Sequence, residues 1–75
     1  MQKVRWVKFH VDPYSGPKNA YGILMDLRNS LTYGFLEPGQ WGGSVTVGVE
    51  AGSEVEVVRE LLREVGLRFS EENVF

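Results

Sequence analysis

The sequence predicts one small α+β domain, a ferredoxin-like two-layer sandwich in which two helices cover one face of a four-stranded antiparallel sheet. Three observations carry that prediction. The stretch from Ser53 to Gly66 has helical apolar spacing with start and stop signals of its own. The segments around Phe9 and Val47 alternate apolar and polar residues at the period of a half-buried strand. A second apolar stripe, Ala20 to Leu31, falls between the two strand patterns and completes the order β-α-β-β-α-β. The alternative is a β-meander packed against one C-terminal helix, with residues 20–31 running as a strand.

The first strand is expected from about Lys3 to Val11. Val7, Phe9 and Val11 point one way, and Trp6, Lys8 and His10 the other. Asp12-Pro13-Tyr14-Ser15-Gly16-Pro17 ends it, because two prolines and a glycine cannot continue a ladder. Ala20, Ile23, Leu24, Leu27 and Leu31 then share an arc of about 100° on a helix, with Asn19 as its expected N-cap. Gly22 in that helix costs about 1 kcal/mol relative to alanine, and the strand pattern Tyr21, Ile23, Met25, Leu27 is broken by Leu24.

A short aromatic strand is expected over Thr32–Glu37. The glycine-rich turn Pro38-Gly39-Gln40-Trp41-Gly42-Gly43 joins it to Ser44–Glu50, where Val45, Val47 and Val49 face one side. Ser53 and Glu56 match the S-x-x-E capping box. Val55, Val58, Leu61, Leu62 and Val65 form the buried stripe of the last helix, and Gly66 supplies a left-handed stop. Leu67-Arg68-Phe69 reads as a short final strand, and residues 70–75 as a tail without an assigned structure.

The chain has 75 residues, which predicts one domain spanning 1–75. A domain of this size buries only about 60% of its unfolded surface, so small folds often add a disulfide, a metal or a partner chain. With no cysteine and one histidine, disulfides, thiolate metal sites and cysteine nucleophiles are excluded. No metal site or cofactor is expected, and self-association remains as the added support. The absence of any apolar run of about 18 residues argues against a membrane span. A soluble cytoplasmic protein is the expectation. Charge is uneven: residues 1–36 carry five basic and two acidic side chains, residues 37–75 three basic and eight acidic.

The candidate function follows from the sheet face that the helices leave open. Trp6, Lys8 and His10 project there, with Thr46, Glu50 and Arg68, and Tyr33, Phe35 and Glu37 as further members. Such an aromatic patch marks a contact surface. The expectation is a non-enzymatic interaction or small-ligand module that self-associates, most simply as a homodimer, through Trp6, Lys8, His10, Tyr33 and Phe35. Trp41, at the hairpin tip, is a further candidate anchor. The alternative is RNA binding through Trp6, Lys8 and His10, disfavoured by the outward carboxylate Glu50 and the acidic chain.

Other features read as local structure. Ser15-Gly16-Pro17-Lys18-Asn19 precedes a helix, where an anion can bind, but it lacks phosphate-loop spacing and reads as a turn. His10 and Asp12 project to one side with no nucleophile fixed beside them, so no catalytic residue is assigned. Glu71-Glu72 reads as a solvated pair. Val11-Asp12-Pro13 followed by Gly16 and a helix resembles the effector turn of ACT domains with stretched spacing. The C-x-x-C of heavy-metal-associated domains and the arginine-bearing glycine loop of acylphosphatases are missing. No family is assigned on these motifs.

Overall fold

The structure is a computed structural model and describes residues 5–39 and 42–74. The elements are β1 (Trp6–Asp12), α1 (Ala20–Ser30), β2 (Gly34–Pro38), β3 (Val45–Glu50), α2 (Glu54–Val65) and β4 (Arg68–Val74). The strands form one four-stranded sheet in the order β2-β3-β1-β4, and every neighbouring pair is antiparallel. Because β1 and β2 both run against β3, they are parallel to each other, and α1 is the crossover between them. By the same reasoning α2 connects β3 to β4, which both run against β1. The fold is therefore α+β, with two helices on one antiparallel sheet. The β-meander alternative is overturned, because residues 20–30 form a helix. Leu24 decides the matter: it is fully buried beside Ala20 and Leu27, as helical spacing places it and alternation does not.

Apolar alternation sets the sheet's inner face. Val7, Phe9 and Val11 of β1 and Val45, Val47 and Val49 of β3 join Ala20, Leu24, Leu27 and Leu31, Val58 and Leu62, and Leu67 in one buried cluster. Phe9 is completely buried, and Phe69 packs on it with ring centroids 5.7 Å apart. Fully burying each large apolar side chain contributes about 1.5–3 kcal/mol. Of the predicted helical stripes, Val58 and Leu62 are buried, while Val55, Leu61 and Val65 are partly buried against the cluster.

The helix ends differ from the sequence expectations. Asn19 makes no side-chain cap bond; α1 starts instead on backbone bonds from Ala20 N–H to Pro17 O and from Ile23 N–H to Asn19 O. Ser53 is not the cap of a capping box either. Its backbone is already helical, its hydroxyl makes no cap bond, and the Val55 amide donates to Gly52 O. A hydroxyl must sit on an extended residue to reach the free amides, and Ser53 does not. Glu56 turns to Arg59, while the Glu54 carboxylate accepts the Thr32 amide at 3.1 and 3.2 Å. At the other end Gly66 does adopt φ +84°, and its amide donates to Leu62 and Arg63 carbonyls.

Strand bounds also shift. The described part of β1 begins at Trp6, and β2 occupies Gly34–Pro38 instead of Thr32–Glu37. The segment beyond Phe69 is no loose tail: Arg68 to Val74 pair along the whole of β1, from Asp12 to Trp6.

Candidate functional site: the helix-free face of the sheet

Cross-strand register fixes the face opposite the helices. Trp6 pairs with Glu50, Lys8 with Gly48 and His10 with Thr46 toward β3. Toward β4, Lys8 pairs with Glu72, His10 with Ser70 and Asp12 with Arg68. Phe35 pairs with Gly48 and Glu37 with Thr46. Because alternate strand residues share a face, Trp6, Lys8, His10, Phe35, Glu37, Thr46, Glu50, Arg68, Ser70 and Glu72 all lie on this side.

Gly48 organises the aromatic half of this surface. It has no side chain, so the Phe35 ring lies across β3 at that point; a methyl group there would overlap Phe35 Cε1 and Cζ. Phe35 thereby reaches over one strand to meet Trp6 edge to face, with centroids 5.1 Å apart and planes at 68°. Such pairs contribute about 0.5–1.5 kcal/mol beyond their burial. Tyr33, just before β2, is 60% exposed, and its carbonyl accepts the Glu50 amide at 3.3 Å.

The polar half is cross-linked. Lys8 Nζ lies 3.9 Å from Glu37 Oε1. His10 bridges two strands: Nε2 lies 2.9 Å from Glu72 Oε1, and Nδ1 lies 3.1 Å from Thr46 Oγ1. A carboxylate only accepts, so Nε2–H is the donor, and in the neutral ring Nδ1 accepts from the Thr46 hydroxyl. This hydroxyl–imidazole–carboxylate chain has the members of a nucleophilic site. Thr46 is only 2% exposed, however, so its oxygen is shielded from an incoming carbonyl.

Several predicted roles change. Asp12 closes the turn after β1, its Oδ1 accepting the Tyr14 amide at 3.0 Å. Glu71 and Glu72 are both exposed, but each has an ion-pair partner of its own. They point to opposite faces, Glu72 to His10 and Glu71 to Arg59, whose Nε and Nη2 both lie 2.8 Å from the Glu71 oxygens. Bonding from Arg59, aided by the charge of Arg59 and Arg63, holds the Glu71 carboxyl below its ordinary range, against a smaller opposing effect of burial. The Ser15 loop is a latch: Ser15 Oγ donates to Asp12 O and accepts the Arg68 amide at 2.7 Å. Trp41 lies outside the described residues. Sequence reasoning missed Gly48 and Glu72, although alternation from Phe69 would have placed Glu72 outward had the strand been extended.

An open cleft of about 540 Å³ lies at the base of the sheet, between Tyr21 and the β2–β3 turn. Tyr21 Oη donates to Gly43 O at 3.3 Å across it. Desolvation, then the charge and hydrogen bonding of Tyr14, raise the Tyr21 phenol above its ordinary value.

With this geometry in view, relatives offer no further guide. No protein-family model matches the chain, and neither the curated proteins nor the solved structures give a significant match. Among the described residues, no three His, Cys, Asp or Glu side chains are grouped to hold a metal ion, and no helix is long and apolar enough to cross a membrane.

Proposed function

We propose that the chain is a non-enzymatic binding module of ferredoxin-like topology whose helix-free face is its contact surface, used to self-associate as a homodimer in the cytoplasm. The strand order β2-β3-β1-β4 with two crossover helices supports the fold reading. One observation carries the functional reading: the Trp6–Phe35 pair sits on a sheet face that neither helix covers. Aromatic side chains held rigidly on an open surface supply contact area at small entropic cost, and they are enriched at interfaces. An enzymatic reading has less to stand on, because Thr46, whose hydroxyl is bonded to His10, is buried.

Light scattering coupled to size exclusion tests the proposal. The expected mass is about twice that of the 8.5 kDa chain at high micromolar concentration. Trp6→Glu should yield the monomer, whereas Met25→Glu, on the exposed side of α1, should leave the dimer intact. A parent chain that stays monomeric at that concentration overturns self-association.

RNA binding through Trp6, Lys8 and His10 draws less support. Lys8 and His10 already face Glu37 and Glu72, and a face with three carboxylates repels phosphate. Salt-sensitive quenching of tryptophan fluorescence by a mixed oligonucleotide would reverse that ranking.

A further inference from the structure

We propose that the corner formed by Trp6, Tyr33, Phe35 and Glu50 seats a single organic cation, the guanidinium of an arginine. The idea rests on the reading of this face as a contact surface, though not on self-association.

The charges on the face are unevenly matched. Glu37 has Lys8 and Glu72 has His10, but among the described residues no cation pairs with Glu50. Glu50 is partly buried on the face, directly across from Trp6, at the end of β3. Directly opposed residues of neighbouring strands have Cβ atoms about 4.5–5.5 Å apart, so the indole and the carboxylate are immediate neighbours. On the other flank, the bond from Glu50 N–H to Tyr33 O holds the Tyr33 backbone beside the same residue, and the Tyr33 side chain is exposed. Phe35, edge to face against Trp6, restricts the tilt of the indole.

A carboxylate beside an indole attracts cations twice, through its charge and through the negative ring face. A neutral apolar occupant would strip water from Glu50 without replacing its hydrogen bonds, and an anion would be repelled. Between the biological cations, guanidinium fits best: it is planar, weakly hydrated, stacks on rings and bonds a carboxylate with two parallel N–H groups. The acid excess of the face, Glu37, Glu50 and Glu72 against Lys8 and Arg68, favours the same sign of ligand.

The test follows the Trp6 indole N–H resonance, assigned with Trp6→Phe, during titration with N-acetylarginine amide and with its neutral isostere N-acetylcitrulline amide. The expected result is a saturable shift in the millimolar range for the arginine probe, with little response to citrulline. Glu50→Gln should weaken binding by up to about fivefold, the loss of one partly exposed ion pair, and Glu60→Gln, on the exposed side of α2, should bind like the parent. Equal responses to the two probes, or indifference to Glu50→Gln, overturn the proposal. Light scattering on the same samples separates the readings. A monomer that takes the arginine probe removes self-association and keeps the cation seat; a dimer whose chain, diluted until it dissociates, still ignores the probe does the reverse.

Discussion

The ring of Phe35 occupies the space where a side chain at Gly48 would stand. Both positions lie on the helix-free face and oppose each other across β2 and β3. The glycine therefore opens the path by which a β2 aromatic meets Trp6 on β1, with β3 between them. The aromatic half of the helix-free face depends on a residue that contributes no side chain to it.

Gly48→Ala should accordingly destabilise the domain by about 1–3 kcal/mol, the usual cost of forcing atoms into a filled site. It should also displace Phe35 from Trp6, seen as a changed near-ultraviolet circular dichroism signal. In a Phe35→Leu background the same substitution should cost less, because the obstructing ring is gone. Equal losses measured by urea denaturation in both backgrounds would show that the ring is not what excludes a methyl group.

Gly22 behaves in the opposite way. It sits on the exposed side of α1, and a methyl group there meets nothing within 4 Å. Gly22→Ala should therefore stabilise the protein by about 0.5–1 kcal/mol through helix propensity and a less flexible unfolded chain. An unchanged urea midpoint would count against this account.

These two glycines mark where the sequence was legible and where it was not. The periods of the apolar residues located both helices, the inner faces of β1 and β3, and through them the outward Trp6, Lys8 and His10. Gly22 was readable because its cost is local to one helix. Gly48 was not, since its meaning comes from a ring on the next strand. The same limit hid the Glu72–His10 bond: Ser70 to Asn73 are polar and show no apolar alternation, and they form a strand because β1 offers an edge. The Glu50 corner was half visible, its outward direction following from Val49 while its neighbours required the register.

The ends of α2 give a paired prediction. Ser53 Oγ accepts no cap bond, and the residue already has helical backbone angles. Ser53→Ala should thus change stability by less than about 0.5 kcal/mol, where a working cap contributes about 1 kcal/mol. Gly66, at φ +84°, should tolerate alanine poorly, losing about 1–2 kcal/mol because a Cβ is crowded in the left-handed region. Chemical denaturation that ranks Ser53→Ala as the worse of the two would restore the capping box.

The contact between Arg59 and Glu71 ties α2 to the edge strand β4, and it sets a direction for the pH dependence. The bidentate bonding from Arg59 lowers the Glu71 carboxyl from its ordinary value of 4.5. The same carboxylates, Glu71 first and then Glu56, push the guanidinium further up, so Arg59 keeps its charge throughout the accessible range. A carboxyl with a lowered folded-state pKa binds fewer protons folded than unfolded in that window. Its contribution is complete above about pH 4.5 and disappears as pH falls through the lower folded value. Stability should therefore decline on acidification below pH 4.5, and Glu71→Gln should flatten that part of the curve. Both partners are partly solvated, so the effect should be smaller than that of Gly48→Ala and should shrink in 1 M salt, where the screening length is about 3 Å. Parallel acid-denaturation curves for the parent and Glu71→Gln would mean that the arginine, however well aligned, does not hold β4 to the helix.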